Sequence, residues 1–190
     1  MKDNEILKLL KETGAVKSGH FKLSSGLHAG RYFQCALALA DPAATEKIGR
    51  AIAEKYNRDS IDVVVSPAIG GLVLGFAVAL AMGKKFIWAE RAKGEMVFRR
   101  GFALDSGERV LIVEDVVTTG GSVAEVMRLA ETAGAKIIGV ACLINRGGKD
   151  EIAGVKLKAL VTEVTEAYEP ENCPLCRAGK SIEIPGSRCV

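Results

Sequence analysis

Two adjacent carboxylates and the turn that follows them are the residues of this chain best suited to chemistry. Glu114 and Asp115 follow a wholly apolar run at 110–113, and residues 118–122 read Thr-Thr-Gly-Gly-Ser. Free N–H groups at a helix start attract an anion, glycines let the backbone approach it, and hydroxyls donate hydrogen bonds to it. The acids would repel a phosphate but can accept hydrogen bonds from the vicinal hydroxyls of a ribose. The pattern therefore predicts a sugar-phosphate site rather than an ordinary N-capped turn between strand and helix.

Two other phosphate-binding motifs do not fit the sequence. A Walker A loop would need a glycine where Pro174 precedes Gly179-Lys180-Ser181. No Gly-x-Gly-x-x-Gly follows a predicted strand, which argues against a dinucleotide site.

Strands and helices alternate along the chain around this motif. Strands are predicted at 61–65, 86–89, 110–113, 136–144 and, as the last one, 157–162. Four helices are predicted. The first is capped by Asp3 or Asn4 and ends before Gly14, the second runs from Pro42 to about Tyr56, the third spans a buried apolar run at 73–82, and the fourth runs from Val123 onward. Residues 19–35 are predicted to contain extended segments. The strands are apolar on both faces, so we expect an α/β, doubly wound, mainly parallel sheet with ligands at the carboxyl ends of its strands.

The composition narrows the class of protein. The 190 residues are 48% hydrophobic and 26% charged with a net charge of +3, as in an ordinary globular protein and not a nucleic-acid binder. No membrane span or signal peptide is predicted, so a cytoplasmic location is expected. Five cysteines do not suggest a disulfide framework. The pair Cys173/Cys176 is half of a zinc motif, to which Cys189 adds one thiol at most, so a zinc shared across a dimer is an alternative to reduced structural cysteines. His20 and His28 lack ligand spacing and are expected to be structural.

Residues 110–122 resemble the diphosphate-ribose signature of the type I phosphoribosyltransferases, which bind 5-phosphoribosyl 1-diphosphate (PRPP). The resemblance implies that Glu114 and Asp115 hold the ribose and act in catalysis. It implies PRPP binding by residues 116–122, namely Val116, Val117, Thr118, Thr119, Gly120, Gly121 and Ser122. It also places a diphosphate-binding turn at Ile69 and Gly70, where the family often has an aromatic and a basic residue.

A second block is similar to the orotate phosphoribosyltransferase family. Residues 21–26 read Phe-Lys-Leu-Ser-Ser-Gly, and Arg31-Tyr32-Phe33 follows. The resemblance implies that Tyr32 and Phe33 lie against the orotate ring, and that Arg146 and Thr118 contact orotate. A guanidinium after a strand can hold a carboxylate with two parallel hydrogen bonds. The family lysine before Ser-Gly is Ser24 here, and Lys22 is the alternative.

The same family has a mobile basic loop that closes over the neighbouring subunit's site, which implies a homodimer. That loop is 91–108 here, with Arg91 as a PRPP contact and Lys93 as the candidate catalytic lysine; a charged hairpin is the alternative interpretation. The resemblance also implies Mg²⁺, bound by substrate oxygens, with no protein side chain assigned as its ligand.

The sequence therefore predicts one phosphoribosyltransferase unit over 1–190, with a small N-terminal hood and base-binding segment (1–40), a core (41–165) and a tail (166–190). We expect an enzyme that transfers ribose 5-phosphate from PRPP to orotate. The alternatives are a transferase for a purine or uracil, and a PRPP-sensing regulator without catalysis.

Overall fold

A seven-stranded sheet in the order β5-β4-β3-β6-β7-β9-β8 forms the centre of the molecule. The computed structural model describes residues 3–23, 25–164 and 166–185. Its strands are β1 Val16–Lys22, β2 His28–Phe33, β3 Val63–Pro67, β4 Lys85–Ala92, β5 Glu95–Phe98, β6 Arg109–Val117, β7 Lys136–Asn145, β8 Glu151–Ile152, β9 Val155–Thr162 and β10 Ala167–Tyr168. Its helices are α1 Asp3–Glu12, α2 Cys35–Leu39, α3 Pro42–Ala53, α4 Gly71–Met82, α5 Gly121–Thr132 and α6 Pro174–Arg177.

The five inner strands are parallel, and only the edge strands β5 and β8 run antiparallel to their neighbours. Alternate strand residues point to opposite faces, so the sheet divides the core into two apolar clusters. Leu111 and Val113 pack with α1, α3 and α4 on one face. Val110 and Ile112 pack with α5 on the other. This confirms the predicted α/β, mainly parallel fold with helices on both faces.

A second sheet of three strands, β1-β2-β10, stands beside the first. We call it the hood sheet. Its first two strands are the predicted extended segments, and its third comes from the C-terminal segment, where Tyr168 pairs with His28. The strand at 157–162 is thus not the last one.

Several predicted boundaries were wrong. The apolar pattern used to predict an element can run beyond the residues that form its hydrogen bonds, or can end before them. Strand β6 extends four residues beyond 113, so both acids lie within it. Strand β3 begins at Val63 rather than 61, and β7 ends at Asn145, one residue later than predicted. Helix α3 ends at Ala53, and Tyr56 beyond it donates from its hydroxyl to the Val140 carbonyl at 2.7 Å.

Two segments differ in character from the prediction. Residues 91–98 are the end of β4 and a hairpin turn into β5, which favours the hairpin interpretation for that part. Helix α4 is not buried all round, because Val73, Phe76 and Leu80 are 48%, 57% and 68% exposed. None of the described helices combines the length and apolar character needed to cross a membrane.

Candidate active site

Glu114 and Asp115 lie half-buried near the carboxyl end of the central strand β6. The Asp115 amide donates to Glu114 Oε1 at 3.0 Å, and the Val116 amide donates to Asp115 Oδ1 at 2.8 Å. Burial, and then the neighbouring charge of Asp115, hold the pKa of Glu114 well above its usual range. The two side chains are therefore fixed by the strand backbone, and the Glu114 carboxyl resists ionising beside its neighbour.

The turn from Thr118 to Ser122 forms a small cleft of about 180 Å³ directly after these acids, lined by residues 116–123 and Glu114. Gly120 has φ +82°, a conformation that favours glycine, and a Cβ on it would overlap the Ile152 side chain. Lys149 donates from Nζ to the Thr119 carbonyl at 2.9 Å and braces the turn from outside. Helix α5 begins at Gly121, so its first N–H groups face this cleft, as an anion requires.

The turn after β3 lies across the same acids. Strands β3 and β6 are parallel neighbours, so their carboxyl ends meet. A Cβ built on Gly70 would lie 2.7 Å from Asp115 Oδ1, and one on Gly71 would lie 3.1 Å from Glu114 Oε1. Ile69, joined to Ala68 by a cis peptide bond, is 84% exposed. The glycines thus allow a close contact between turn and carboxylates that any larger residue would disturb.

Arg146 follows β7 and lies beside the 118–122 turn. Its amide donates to the Val117 carbonyl at 2.8 Å, and a Cβ on the next residue, Gly147, would overlap the Thr118 carbonyl. Within the described residues, the buried Nε of Arg146 has no hydrogen-bond partner. Burial lowers the pKa of this guanidinium. A half-buried cation with an unused donor at a strand end is a natural anion receptor.

The two aromatic residues of the hood occupy different faces of β2. The Phe33 ring is 5% exposed, and its centroid lies 5.8 Å from the Arg146 guanidinium carbon. Tyr32 is half-buried, has its ring centroid 5.8 Å from that of Phe21, and donates to Gln34 Oε1 at 3.1 Å. Phe33 is thus adjacent to Arg146, and Tyr32, which packs on Phe21 of the hood, is near enough to act electrostatically on the same guanidinium.

The basic residues of the β4–β5 hairpin are held or exposed away from these contacts. Arg91 donates to Glu125 of α5 at 2.7 Å. Lys93 is exposed in the hairpin turn with φ +50°, and no hydrogen bond or ion pair joins it to another described residue. Lys22 is exposed at the end of β1, and Ser24 and Cys189 lie outside the described residues.

The structure therefore brings together the acids, both glycine turns, Arg146 and Phe33, and leaves Arg91 and Lys93 on the hairpin. Sequence reasoning missed the packing role of Gly147 and the brace from Lys149. A glycine pair directly after a strand-end arginine was the available signal for the first.

Comparison with known proteins agrees with this arrangement. The family model described as "Phosphoribosyl transferase domain" matches residues 37–165. Fold and site together define a phosphoribosyltransferase domain. Orotate phosphoribosyltransferase from Chlorobaculum parvum is 48% identical over 189 residues, covering 99% of this chain and 97% of that protein. Its counterpart from Desulforamulus reducens is 43% identical over 190 residues, covering 100% of both. The chain belongs to the orotate phosphoribosyltransferase family.

A solved structure extends the likeness to the fold. The crystal structure of orotate phosphoribosyltransferase from Aeropyrum pernix superposes with a TM-score of 0.69 at 27% identity, covering 83% of this chain and 93% of that one.

Proposed function

We propose that this protein catalyses transfer of ribose 5-phosphate from PRPP to orotate, giving orotidine 5′-monophosphate and diphosphate, in de novo pyrimidine biosynthesis. The observation that carries the proposal is the half-buried acid pair lying between two glycine turns. Arg146, with its unused Nε donor, lies beside one of those turns. That set can receive a 5′-phosphate, a ribose, a diphosphate and an anionic base together.

PRPP would lie along the carboxyl ends of β3 and β6. The 118–122 turn, with the backbone of Val116 and Val117, would receive the 5′-phosphate through N–H groups and hydroxyls. Glu114 and Asp115 would accept hydrogen bonds from the ribose 2′- and 3′-hydroxyls. The Ile69–Gly70 turn would hold the diphosphate through its backbone, since it has no basic side chain.

In the reaction, the bond between the anomeric carbon and the diphosphate oxygen breaks while a bond to the orotate nitrogen forms. Positive charge develops on the ribose ring in the transition state. The acid pair would stabilise that charge, and stabilisation that is stronger in the transition state than in the ground state is what accelerates the reaction. Orotate is already an anion at neutral pH, so no strong protein base is needed.

Mg²⁺ fits this site by its donor chemistry. The carboxylates of Glu114 and Asp115 are hard oxygen donors next to the Gly70–Gly71 turn, where diphosphate oxygens would complete an oxygen-only shell. The ion, when bound, neutralises charge on the leaving diphosphate.

Orotate would lie between Arg146 and the hood. Arg146 would hold its carboxylate, with the Phe33 ring packed against the guanidinium. Thr118, whose carbonyl lies against Gly147 next to Arg146, would also contact the base. Tyr32 would line the hood side of the ring. Base recognition is thus assigned to residues outside the acid motif.

We further propose a cytoplasmic homodimer in which 1–190 acts as one unit of hood (1–40), core (41–165) and tail (166–190). The outward face of α4 carries Val73, Phe76 and Leu80 beside Trp88, around an apolar cleft of about 660 Å³. An exposed apolar surface of this kind is typical of a protein–protein interface, and we propose that a second copy of the chain packs against it. The basic hairpin of loop 91–108 would then reach the partner's site, with Lys93 as the catalytic lysine and Arg91 on PRPP.

The decisive experiment is a diphosphate-release assay with PRPP, Mg²⁺ and each base in turn. Turnover with orotate supports the proposal. Turnover with hypoxanthine, guanine or uracil but none with orotate would show that the substrate is one of those bases and not orotate. PRPP binding with no turnover on any base would indicate a regulator.

A further inference from the structure

Four metal-ligating side chains converge between the hood sheet and the C-terminal segment. They are His20 on β1, His28 on β2, Cys173 before α6 and Cys176 within it. One ligand atom from each lies within 4.8 Å of all the others. His20, His28 and Cys173 are 2%, 4% and 0% exposed. The two pairs are brought together from opposite ends of the sequence.

The distances within the cluster are those of a small tetrahedron. His20 Nε2 lies 3.6 Å from Cys173 Sγ, 3.7 Å from Cys176 Sγ and 3.0 Å from His28 Nδ1. His28 Nδ1 lies 3.3 Å from Cys176 Sγ. Around Zn²⁺, with bonds of about 2.0–2.1 Å to nitrogen and about 2.3 Å to sulfur, tetrahedral edges are roughly 3.4 Å between nitrogens and roughly 3.6 Å between nitrogen and sulfur. The side chains therefore need only small shifts to bind one ion.

The ring of His20 is already oriented for this task. Its Nδ1 lies 2.8 Å from the Lys180 carbonyl, so that nitrogen carries the proton and donates it there. In the neutral ring the lone pair is then on Nε2, which faces the other three ligand atoms. Metal-binding histidines are commonly held in this way by a backbone carbonyl on the far nitrogen.

We propose that His20, His28, Cys173 and Cys176 bind one structural Zn²⁺ per chain. Two thiolates and two imidazoles in a tetrahedron are the ligand set that zinc prefers. Four protein ligands leave no position for a substrate or a reactive water, so the ion is structural and separate from the Mg²⁺ of the reaction.

The ion would fasten the C-terminal segment to the hood. Without it, the segment is held there chiefly by short backbone contacts, namely the two-residue strand β10 and the pairing of Glu183 with His20 and Lys22. The hood carries Tyr32 and Phe33 at the far end of β2. Zinc binding would thus stiffen the strands that present the base-binding residues, as a cross-link between distant parts of the chain does.

The test is the metal content of untagged full-length protein, purified under reducing conditions and desalted. The proposal predicts about one zinc per chain. Replacement by Co²⁺ should give the visible bands of a tetrahedral ion and near-ultraviolet thiolate charge transfer. Removing the metal should lower Tm by about 5 °C or more and make the segment after Glu169 sensitive to protease.

Matched variants decide which residues bind. Cys176→Ser and His20→Ala should lose zinc, whereas Cys35→Ala and Cys142→Ala, which keep all four ligands, should retain it. Cys176→His keeps four ligands, so it should retain the metal while the charge-transfer band weakens; this variant keeps the test valid if the others do not fold. No zinc after reconstitution, a Cys173–Cys176 disulfide in the purified protein, or unchanged zinc in Cys176→Ser would overturn the proposal. Zinc content does not depend on turnover, so either result leaves the assay with PRPP and orotate unaffected.

Discussion

At the scale of single residues, the site contains ionisable groups that the folded protein alone does not satisfy. Glu114 is packed against Asp115, and the buried Nε of Arg146 has no partner among the described residues. Such arrangements are costly to stability unless a ligand compensates them, which is why they concentrate at functional sites. The residues proposed to bind the sugar and the base are therefore ones that destabilise the protein without its ligands.

Arg146→Ala should raise KM for orotate by about 10- to 100-fold, because a charge-assisted hydrogen-bond pair is lost. PRPP affinity should stay unchanged, and Arg146→Lys should be intermediate because an ammonium lacks the planar fork. Steady-state kinetics with each substrate varied, together with calorimetry for PRPP, give both quantities. The exposed Arg128→Ala on α5 serves as control. Equal losses for orotate and PRPP would contradict the assigned role.

Glu114→Gln should become more stable than the wild type as pH rises. The folded-state pKa of Glu114 is raised, so its stabilising contribution is complete below the unfolded pKa of about 4.3 and is lost as pH rises toward the folded value. Gln keeps the oxygen that accepts from Asp115 but does not titrate. The Tm difference between variant and wild type should grow from near zero at about pH 4 toward pH 8, while turnover falls.

Thermal scans across this range with the exposed Glu95→Gln as control test the point. Parallel Tm profiles for Glu114→Gln and wild type would show that Glu114 ionises as freely in the folded chain as in the unfolded one.

At the scale of elements, the parallel strands place the candidate site residues at one edge of the sheet. Strands β3, β6 and β7 end side by side, which places the 67–71 turn, the acids with their turn, and Arg146 in sequence across the sheet. The spacing between these turns is set by glycines in contact with the neighbouring turn. A Cβ on Gly70 would meet the Asp115 carboxylate, and one on Gly147 would meet the Thr118 carbonyl. The close approach of these turns therefore depends on the absence of side chains at the two glycines.

Gly147→Ala should impair PRPP use by on the order of 100-fold in kcat/KM, because the added methyl overlaps the Thr118 carbonyl and displaces the 118–122 turn. The fold should survive, with Tm lower by only a few degrees. Gly30→Ala is the control, since its methyl would lie 3.9 Å from the nearest side-chain atom, on Leu175. Wild-type kinetics in Gly147→Ala would mean that the turn does not need this contact.

At the scale of the whole molecule, two surfaces of the chain motivate the proposed dimer. The apolar face of α4 is exposed in the single chain, and the hairpin carrying Arg91 and Lys93 extends from the same sheet. A two-fold dimer would cover the first and give the second a site to reach.

Leu80→Glu should convert the dimer to a monomer by light scattering and abolish most activity, whereas Ile138→Glu, at a residue 38% exposed outside that cleft, should not. A dimer unaffected by Leu80→Glu would exclude this face.

Co-expression of Lys93→Ala with Arg146→Ala tests the loop. If each loop acts in the partner's site, a mixed dimer has one site in which both Lys93 and Arg146 are intact. About half of the dimers are mixed when the two variants pair at random, so about a quarter of all sites should recover activity. No recovery would mean that the loop acts within its own chain.

The sequence by itself determined the fold class, the acid motif and its turn, because apolar strand runs and hydroxyl-glycine turns are local patterns. Arg146 was indicated only by the resemblance to the orotate phosphoribosyltransferases, since a lone arginine after a strand is more often a solvated surface charge. The sequence did not place the ends of β6, because pairing with β7 continues the strand beyond its apolar run. Nor did it foresee the exposed face of α4, because a uniformly apolar helix has no polar side to reveal which face is outward.

Only the tertiary structure decided which distant residues meet. The acids were recognisable in the chain, but their contact with Gly70 required β3 and β6 to lie side by side. The cluster of His20, His28, Cys173 and Cys176 joins residues up to 156 positions apart, through a hood strand supplied by the C-terminal segment. Local patterns follow from neighbours in sequence, whereas a contact between distant residues depends on how the whole chain packs, and no spacing in the sequence records it.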